Sequence, residues 1–450
     1  GTSQIIEVFV RKLLPIPKRK KSDYVEPTTE VESLLCKIWM NLFNKDKIGI
    51  NDNFFEIGGD SLTAIKFQTE ALKYNIDINY GDIFSSPTIK ELASLKSSNS
   101  FIIDSSYNYT NINKALSINT LDNISSKPLP AYHSAILLLG ATGFLGAHIL
   151  DNILTNTTSK VYCLIRNKNQ ISNTERLRKI INYYFGDKYN KLFDKRIIVV
   201  DGDITKKDLG LDPNCYKNIV KHISCVLNSA ALVKHYGNIN DFNNINIHGT
   251  KNVIDFCMKN NKKLYHISTI SVSGLTKYNI QKNNTCFFKE TNLYINQNLN
   301  NAYIYTKFQA EISILEAIEQ GLNATILRLG NISNRYSDGK FQINFSDNAY
   351  LNRMKSFISM EMIPDNFINH AIDFSPIDFC ADAIVKIVFS KNNFTVFHIF
   401  NTNLISFANI VSFLNDLNYN IYFTSDTLFK QRLLSMLDNK NEKKKISGII

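Results

Sequence analysis

Seven short apolar segments recur along the chain from residue 134, and this pattern restricts the fold more than any other feature. They cover residues 135–140, 160–166, 196–203, 225–230, 263–269, 324–330 and 395–400. Amphipathic helical patterns lie between most of them. Apolar runs without alternation, separated by helices, predict parallel strands that are buried on both faces. We therefore expect a doubly wound α/β sheet.

A glycine-rich turn follows the first of these segments. Gly140, Gly143 and Gly146 stand in the string GATGFLG, between a predicted strand and a predicted helix. Small residues at this position let backbone N–H groups and the helix N-terminus approach a pyrophosphate. The sequence therefore predicts a dinucleotide site.

Charges after the second predicted strand indicate which dinucleotide is bound. A site for NAD carries Asp or Glu there, whereas this chain has Arg166, Asn167 and Lys168, with Arg176 ten residues further on. Cations suit a 2′-phosphate, so we expect NADPH; the alternative is that they are surface charges at a strand end. Asp203, which ends the third segment, either bonds the adenine edge or stabilises a turn.

Two further motifs offer candidate catalytic groups. Tyr303 and Lys307 lie four residues apart in a predicted helix and so share a face. We expect the lysine to lower the pKa of the phenol and to reach the cofactor ribose, and the phenol to donate a proton to a substrate oxygen that receives hydride. The alternative is a surface Tyr/Lys pair. Tyr305 has no lysine four residues on, and Ser268 and Thr269 are candidates to bond the same oxygen.

A separate helical pattern lies at the N-terminal side of residues 97–132, a Ser/Asn-rich stretch with the composition of a linker. Its most specific string is DNFFEIGGDSLTAIKF at 52–67, in which Ser61 begins a predicted helix after a Gly-Gly-Asp turn. A helix N-terminus favours a phosphate on that serine, although serine also caps helices without further function.

The string at 52–67 resembles the phosphopantetheine attachment motif of peptidyl carrier proteins. The later motifs resemble the terminal thioester reductase domains of nonribosomal peptide synthetases and carboxylic acid reductases, which are extended short-chain dehydrogenases/reductases. The matching strings are GATGFLG, VYCLIR, GDI at 202–204, NSAALVKHY at 228–236, NIHGTKNVI at 246–254, HISTISVSG, NAYIYTKFQAE and SPID at 375–378. One departure is that the R-P-G of the family reads Arg328-Leu329-Gly330 here.

The resemblance implies a fold and a division of the chain. The fold is a small four-helix-bundle carrier domain, followed by an α/β Rossmann-type doubly wound parallel sheet with a smaller C-terminal substrate-binding subdomain. We expect a remnant of an upstream domain or linker at 1–24, the carrier at 25–96, a flexible Ser/Asn-rich linker at 97–132 and the reductase at 133–450. Within the reductase, the core is expected mainly at 133–330 and 375–402, and the subdomain mainly at 331–374 and 403–450.

The resemblance also implies roles for single residues. In its pattern the catalytic hydroxyl lies five residues before Gly274, which selects Thr269 and leaves Ser268 as a packing residue. Thr269, Tyr303 and Lys307 are then the catalytic groups, and Ser61 carries a covalent 4′-phosphopantetheine. The expected cofactor-binding residues are Gly140, Thr142, Gly143, Phe144, Leu145, Gly146, Arg166, Arg176, Asp203, Ile204, Ser229, Ala230 and Lys307.

The implied reaction is reduction of a carrier-tethered peptidyl or aminoacyl thioester by NADPH, with release of an aldehyde or, after a second reduction, an alcohol. The implied partners are upstream adenylation and condensation domains and a phosphopantetheinyl transferase, and we expect a monomer. Three alternatives share parts of the pattern. They are a sugar-nucleotide epimerase or dehydratase of the same fold, a redox-silent cyclase, which would lack the catalytic tyrosine, and a non-enzymatic NADP-sensing module.

Composition argues against several other classes. The net charge is +11, but the basic residues are scattered except near the chain ends, so we expect no nucleic-acid partner. The seven cysteines form no C-x-x-C pair, which predicts no zinc site, no disulfide scaffold and a reducing, cytoplasmic compartment. The most apolar stretch, 135–150, is too short to span a bilayer, and no G-x-S-x-G or paired carboxylates indicate a hydrolase.

Overall fold

The structure is a computed structural model. It describes residues 24–437 apart from residues 60, 73, 75, 77, 79–81, 84–85, 99–102, 104–106, 118–131, 168–170, 234–238, 277–287, 300, 346–347 and 393, and beyond 437 it describes residues 442, 444–446 and 449. The described residues divide into two compact units: those up to Ser98 together with those from Thr427, and those from Ile103 to Asp426. The predicted remnant at 1–24 falls almost wholly outside the described residues, and the predicted domain boundaries stay predictions.

The smaller unit contains the helices α1 (Glu30–Phe43), α2 (Ser61–Leu72) and α3 (Ile89–Ser98). Thr29 and Glu32 form a capping box at the start of α1, because each side chain accepts a hydrogen bond from the backbone N–H of the other. The fully buried Trp39 packs edge-on against Phe54 and Phe67 at ring distances of 5.2 and 5.6 Å. The fourth helix of the predicted bundle falls where several residues between 79 and 85 lie outside the described set.

The larger unit is built on a seven-stranded parallel sheet, which confirms the predicted doubly wound fold. Its strands are β1 (Ala135–Leu139), β2 (Lys160–Ile165), β3 (Ile197–Asp201), β4 (Cys225–Asn228), β5 (Lys263–Thr269), β6 (Ala324–Leu329) and β7 (Val396–Ile399). Their order in the sheet is β7-β6-β5-β4-β1-β2-β3. The order reverses between β1 and β4, and ligands of such sheets bind outside the carboxyl ends of the strands at this point.

Helices cover both faces of the sheet. They are α4 (Thr110–Ser117), α5 (Phe144–Asn156), α6 (Asn173–Phe185), α7 (Pro213–His222), α8 (Gly249–Lys259), α9 (Ala302–Glu319) and α11 (Ile377–Val388). Three further helices contribute none of their described residues to the two cores on the sheet: α10 (Ala349–Met360), α12 (Phe407–Asp416) and α13 (Asp426–Leu437). A π-helical turn, Asn243–His248, precedes α8. None of the described helices is both long and apolar enough to cross a bilayer.

Strand β1 shows how the two apolar cores are separated. Leu137 and Leu139 belong to the core that contains residues of α4, α8 and α9. Ile136 and Leu138 belong to the core that contains residues of α5, α6 and α11. Because side chains alternate along a strand, a continuous apolar run is needed to fill both layers.

Helix α4 differs from the flexible linker predicted for residues 97–132. Ile112, Ala115 and Leu116 on this helix are fully buried in the first of the two cores, and the Thr395 hydroxyl donates a hydrogen bond to the Ala115 carbonyl. The expectation of a coil is therefore wrong for this part of the segment. The physical reason is that three apolar side chains on one face of a two-turn helix suffice when a formed core receives them.

One buried carboxylate joins the loops at the carboxyl edge of β6 and β7. Asp373 accepts hydrogen bonds from the backbone N–H of Asn331 at 2.7 Å, from its side-chain amide at 2.6 Å and from the Ser375 hydroxyl at 3.0 Å. The Ser375 hydroxyl in turn accepts from the Asn401 N–H. The segment 331–374 therefore begins and ends at the same side chain.

Candidate functional site

The glycine-rich turn between β1 and α5 has the geometry that a pyrophosphate needs. Gly140 has a positive φ of 86°, and a Cβ there would lie 2.8 Å from the backbone nitrogen of Ala230. A Cβ on Gly146 would lie 2.1 Å from the Gly140 carbonyl oxygen, so glycine is needed to pack α5 against β1. Gly143 caps α5 with no side-chain hydrogen bond. The first N–H groups of α5 are thus available to an anion, and a nicotinamide dinucleotide fits this cradle.

The next three residues of the motif lie in or beside this turn. Thr142, Phe144 and Leu145 are partly buried. The Phe144 ring lies 5.6 Å from the ring of Tyr184 on α6, so it fills the space behind the turn.

The end of β4 forms the wall opposite the glycines. The Ser229 N–H and hydroxyl both donate to the Leu139 carbonyl, at 3.0 and 2.7 Å. The Ala230 N–H donates to the Asn228 side-chain oxygen at 3.1 Å. These bonds hold the predicted cofactor residues Ser229 and Ala230 directly beside Gly140.

Two of the predicted cations come together after β2. The Arg176 guanidinium, on α6, donates to the Arg166 carbonyl at 2.9 Å. The pKa of Arg176 is lowered by burial and by the positive charge of Arg166. A bound anion would relieve this repulsion, as a 2′-phosphate would. Lys168 lies outside the described residues.

Asp203 and Ile204 follow β3. One carboxylate oxygen of Asp203 accepts from the Thr205 N–H at 2.9 Å and from its hydroxyl at 2.8 Å. Asp203 therefore stabilises a turn, and its adenine contact stays a prediction. Ile204 is buried against α8, where a Cβ on Gly249 would lie 2.9 Å from its terminal carbon.

Thr269 is the last residue of β5 and is buried at the carboxyl edge of the sheet. Its hydroxyl accepts from the Ser271 N–H at 3.2 Å. Opposite it on β6 lies Leu329, the residue that replaces the proline of the family pattern, and the strand pairing continues through it.

Helix α9 brings Lys307 to the strand that ends in Thr269. The Lys307 Nζ lies 2.5 Å from the Ile267 carbonyl, to which it donates, and 2.9 Å from His266 Nε2. Burial lowers the pKa of Lys307 to about 8, while the carboxylate of Glu311 opposes the shift.

Tyr303 lies one turn before Lys307 on α9, after Asn301, whose side chain caps the helix. Burial raises its pKa to about 12, so the expected lowering by Lys307 is not observed. The physical reason is that the amine is directed at Ile267 and His266 instead of the phenol. The Tyr303 hydroxyl makes no hydrogen bond to any residue that the structure describes. Tyr305, two residues on, packs against the apolar core.

A buried ion pair beneath these groups was not predicted from the sequence. Glu311 and Arg328 are both 0% exposed, and they make three hydrogen bonds of 2.7, 3.0 and 3.1 Å. The Ser268 hydroxyl donates to Glu311 at 2.5 Å, so the rejected catalytic candidate is committed to this pair. Arg328 also contacts the His398 Nε2 at 3.2 Å. No local pattern indicates this pair, because the partners come from a helix and a strand.

A second unpredicted group adjoins Lys307. His266 on β5 lies opposite Asn228 on β4, and their side-chain nitrogens are 3.2 Å apart. The signal available in the sequence is weak: both are polar residues in otherwise apolar strands.

In the smaller unit, the chain turns tightly just before Ser61. Gly58 has a φ of 112°, and a Cβ on Gly59 would lie 2.3 Å from the Phe54 ring. The Asn53 side chain accepts from the Phe55 N–H at 3.0 Å. Helix α2 then begins at Ser61, as predicted; the Ser61 side chain and Asp60 lie outside the described part.

Two family models match the chain. Residues 138–384 match the NAD-binding model described as male sterility protein, and residues 33–95 match the model of the phosphopantetheine attachment site. The first match covers more than half of the chain.

Solved structures and curated relatives agree with these matches. A thiolation-reductase di-domain from an archaeal non-ribosomal peptide synthetase is 36% identical, with a TM-score of 0.74 over 95% of this chain and 90% of that chain. A linear gramicidin synthase of Brevibacillus parabrevis is 27% identical over 89% of this chain and 8% of its own length. L-2-aminoadipate reductase of Saccharomyces cerevisiae is 26% identical over 92% of this chain and 32% of its own length. The chain thus spans at most about a third of these curated relatives.

Proposed function

The chain belongs to the NAD-binding family described as male sterility protein, joined to a phosphopantetheine attachment domain, and we propose that it reduces a carrier-bound acyl thioester with NADPH and releases an aldehyde. One observation carries the proposal. Lys307 reaches the Ile267 carbonyl, two residues before Thr269, and Tyr303 is one turn away. The strands are parallel, so these groups share the sheet edge that carries the glycine-rich turn.

Each of the three side chains has a defined task in this reaction. A nicotinamide held at the glycine-rich turn would supply hydride to the carbonyl carbon of the thioester, whose oxygen would gain negative charge. Once that oxygen is protonated, the hemithioacetal would break its carbon–sulfur bond and give the aldehyde and the free thiol of the carrier. Tyr303, with a pKa of about 12, is protonated at neutral pH and donates its phenolic hydrogen to that oxygen. Thr269 donates from its hydroxyl at the end of β5. Lys307 is largely protonated below pH 8. Its positive charge favours the negative charge that develops on the carbonyl oxygen of the substrate and on the phenolic oxygen of Tyr303.

We assign the cofactor as NADPH because of Arg166 and Arg176. The Arg176 guanidinium donates to the Arg166 backbone carbonyl after β2, and the charge of Arg166 helps to lower the pKa of Arg176; a site for NAD carries an acidic residue at this place. A 2′-phosphate would be held by charge-assisted hydrogen bonds, which are about twice as strong as neutral ones.

We assign phosphopantetheine attachment to Ser61, because it begins α2 within the matched carrier region. A phosphodiester at this position would be stabilised by the helix N-terminus. A phosphopantetheinyl transferase and upstream adenylation and condensation domains are the partners that such a carrier requires, and its substrate is a peptidyl or aminoacyl group. We further propose that the enzyme acts as a monomer in the reducing cytoplasm; the six described cysteines are free thiols.

The test compares tethered and soluble substrate. Protein loaded through a phosphopantetheinyl transferase with an acyl group should consume NADPH, followed by absorbance, and release an aldehyde identified by mass. Ser61→Ala should lose both the mass shift of loading and tethered turnover. It should keep NADPH oxidation with an acyl-CoA at millimolar concentration, which is on the order of the effective concentration of a tethered group.

Ser94→Ala is the matched control, because Ser94 is an exposed serine on α3 of the same domain. It should load and turn over as the wild type does. Loading that persists in Ser61→Ala would place the attachment elsewhere. Wild-type protein that fails to oxidise NADPH both with the tethered acyl group and with the acyl-CoA would refute the proposed reaction.

A further inference from the structure

Three buried polar side chains form a continuous row from β4 through β5 to α9. Asn228, His266 and Lys307 are 1%, 1% and 2% exposed. The Asn228 side-chain nitrogen lies 3.2 Å from His266 Nδ1, and His266 Nε2 lies 2.9 Å from Lys307 Nζ. These side chains are almost wholly removed from solvent, so their hydrogen bonds must be satisfied by other groups of the protein.

The direction of each hydrogen bond follows from one backbone group. The Ala230 N–H can only donate, and it lies 3.1 Å from the Asn228 side-chain oxygen. This contact fixes which end of the amide is oxygen, so the NH₂ group faces His266. Since an NH₂ group only donates, His266 Nδ1 must accept. The single proton of the neutral imidazole is therefore on Nε2, which faces Lys307.

This arrangement is in conflict with a charged lysine. A hydrogen on His266 Nε2 can donate to Lys307 Nζ only if that nitrogen has a lone pair, as a neutral amine has and an ammonium has not. One remaining N–H of the amine donates to the Ile267 carbonyl at 2.5 Å. Protonation of Lys307 thus requires the other imidazole tautomer, which would place two donors against each other between His266 and Asn228.

We propose that Asn228 is a positioning residue for hydride transfer: by holding His266 with its hydrogen on Nε2, it makes protonation of Lys307 cost one buried hydrogen bond. The role of Lys307 in this proposal rests on the proposed function. Asn228 touches neither substrate nor the reacting atoms, and it acts through the imidazole alone.

The other groups around Lys307 are consistent with this role. Glu311, one turn further on α9, favours protonation, but its carboxylate is paired with Arg328. Tyr303, one turn before, is neutral, and the adjacent Thr306 bonds the uncharged Asn246 of the π-helical turn. Burial and the neighbouring lysine hold the pKa of His266 well below its usual value. The imidazole is therefore neutral and carries one hydrogen, and whether that hydrogen is on Nδ1 or on Nε2 decides whether Lys307 can be protonated without losing a hydrogen bond.

The first test is the pH dependence of NADPH oxidation with a soluble acyl thioester. Activity should fall as pH rises through about 8, where Lys307 loses its proton. In Asn228→Asp, the second carboxylate oxygen accepts from Nδ1–H, so Nε2 can accept from the ammonium. The fall should move to higher pH by about 0.5–1 unit or more, the equivalent of one hydrogen bond. Asn228→Ala, which adds no charge, should move it in the same direction.

Asn323→Asp is the matched control, because it adds the same charge at an exposed site. Asn323 directly precedes the amino end of β6, at the edge of the sheet opposite to the glycine-rich turn. Its fall in activity at high pH should occur at the same pH as in the wild type. If the fall in activity occurs at the wild-type pH in both Asn228→Asp and Asn228→Ala, the proposal is overturned.

The second test needs no activity. In full-length protein labelled with ¹⁵N-histidine, the nitrogen chemical shifts and long-range couplings show which imidazole nitrogen carries the hydrogen; the His266 signals are those missing from His266→Gln. Above pH 8, where Lys307 is largely neutral, wild type should show hydrogen on Nε2, whereas Asn228→Asp should show it on Nδ1. Hydrogen on Nδ1 in the wild type at that pH would refute the proposal even if the enzyme reduces thioesters. Hydrogen on Nε2 in a protein without reductase activity would refute the proposed function and leave the hydrogen-bond assignment standing.

Discussion

Replacing Arg328 with methionine should destabilise the larger unit strongly, because it leaves Glu311 as an unpaired buried charge. Both side chains are 0% exposed, and all three of their mutual hydrogen bonds are lost together. Removing one partner of a buried pair costs about 3–5 kcal/mol. For a unit that spans residues 101–426, an unfolding entropy of about 2.1 cal/mol/K per residue converts this loss to a fall in Tm of about 4–7 °C.

The double variant Glu311→Leu/Arg328→Met separates pairing from packing. It removes both charges. The loss of unfolding free energy that remains comes from groups that have lost a hydrogen-bond partner, chiefly the Ser268 hydroxyl and His398. An unsatisfied buried polar group costs about 1–3 kcal/mol. The double variant should therefore be more stable than Arg328→Met, although additive effects would make it far less stable.

Calorimetry of Arg328→Met, Glu311→Leu and the double variant measures these shifts, and the smaller unit supplies the control. Trp39, the only tryptophan of the chain, is buried in its core. Its fluorescence transition should stay in place while the transition of the larger unit moves. A double variant that is as unstable as the sum of its single variants would show that the pair does not behave as a coupled buried ion pair.

Three further variants, with Tyr305→Phe as a control, test the cofactor site and the proposed proton donor. Arg166→Ala should weaken NADPH binding about tenfold, or ~1.4 kcal/mol, and leave NADH unchanged; equal affinities of the wild type for both nucleotides in a titration would contradict the assignment. Tyr303→Phe should bind NADPH normally yet turn over at least about 100-fold more slowly, whereas Tyr305→Phe should stay within about twofold; a wild-type rate in the Tyr303 variant would remove the phenol from the mechanism. Gly146→Ala should lose NADPH binding in the same titration, because its Cβ would lie 2.1 Å from the Gly140 carbonyl oxygen; normal affinity would show that α5 can move aside.

The strands and the glycine-rich turn could be predicted because their signals are local. Seven apolar runs coincide with the seven strands of the sheet. Gly140, Gly143 and Gly146 lie where the turn needs them. In the smaller unit, the capping box of Thr29 and Glu32 at the start of α1 is set by residues three apart in the chain. In each case a few consecutive residues contain the whole physical reason for the structure.

The features that escaped prediction depend on residues far apart in the chain. Helix α4 has only eight residues, and the helical spacing of Ile112, Ala115 and Leu116 is a weak signal within a Ser/Asn-rich stretch. The core that receives these side chains explains why the helix forms. Arg328 looks like a surface cation in an apolar strand until Glu311 is placed beside it. The hydrogen on His266 depends on the backbone N–H of Ala230, two residues beyond the neighbouring strand. Tertiary contacts set these properties, so no window of sequence shows them.

The Asp373 contacts bear on how this enzyme could be re-engineered. Asn331 and Ser375, at the two ends of the intervening segment, bond the same carboxylate, and a Cβ on Gly330 would collide with it. An insertion whose ends meet at one point places no requirement on its own length, and domains accept exchanges at such points. The segment 332–372 also pairs Met362–Pro364 with Tyr422–Thr424 and Ala371–Ile372 with Ile405–Ser406, so a graft between homologues should carry residues 405–424 with it. A graft that keeps Asn331, Asp373 and Ser375 in place preserves the hydrogen bonds that close the segment onto the sheet edge, so the seven-stranded sheet should fold as before.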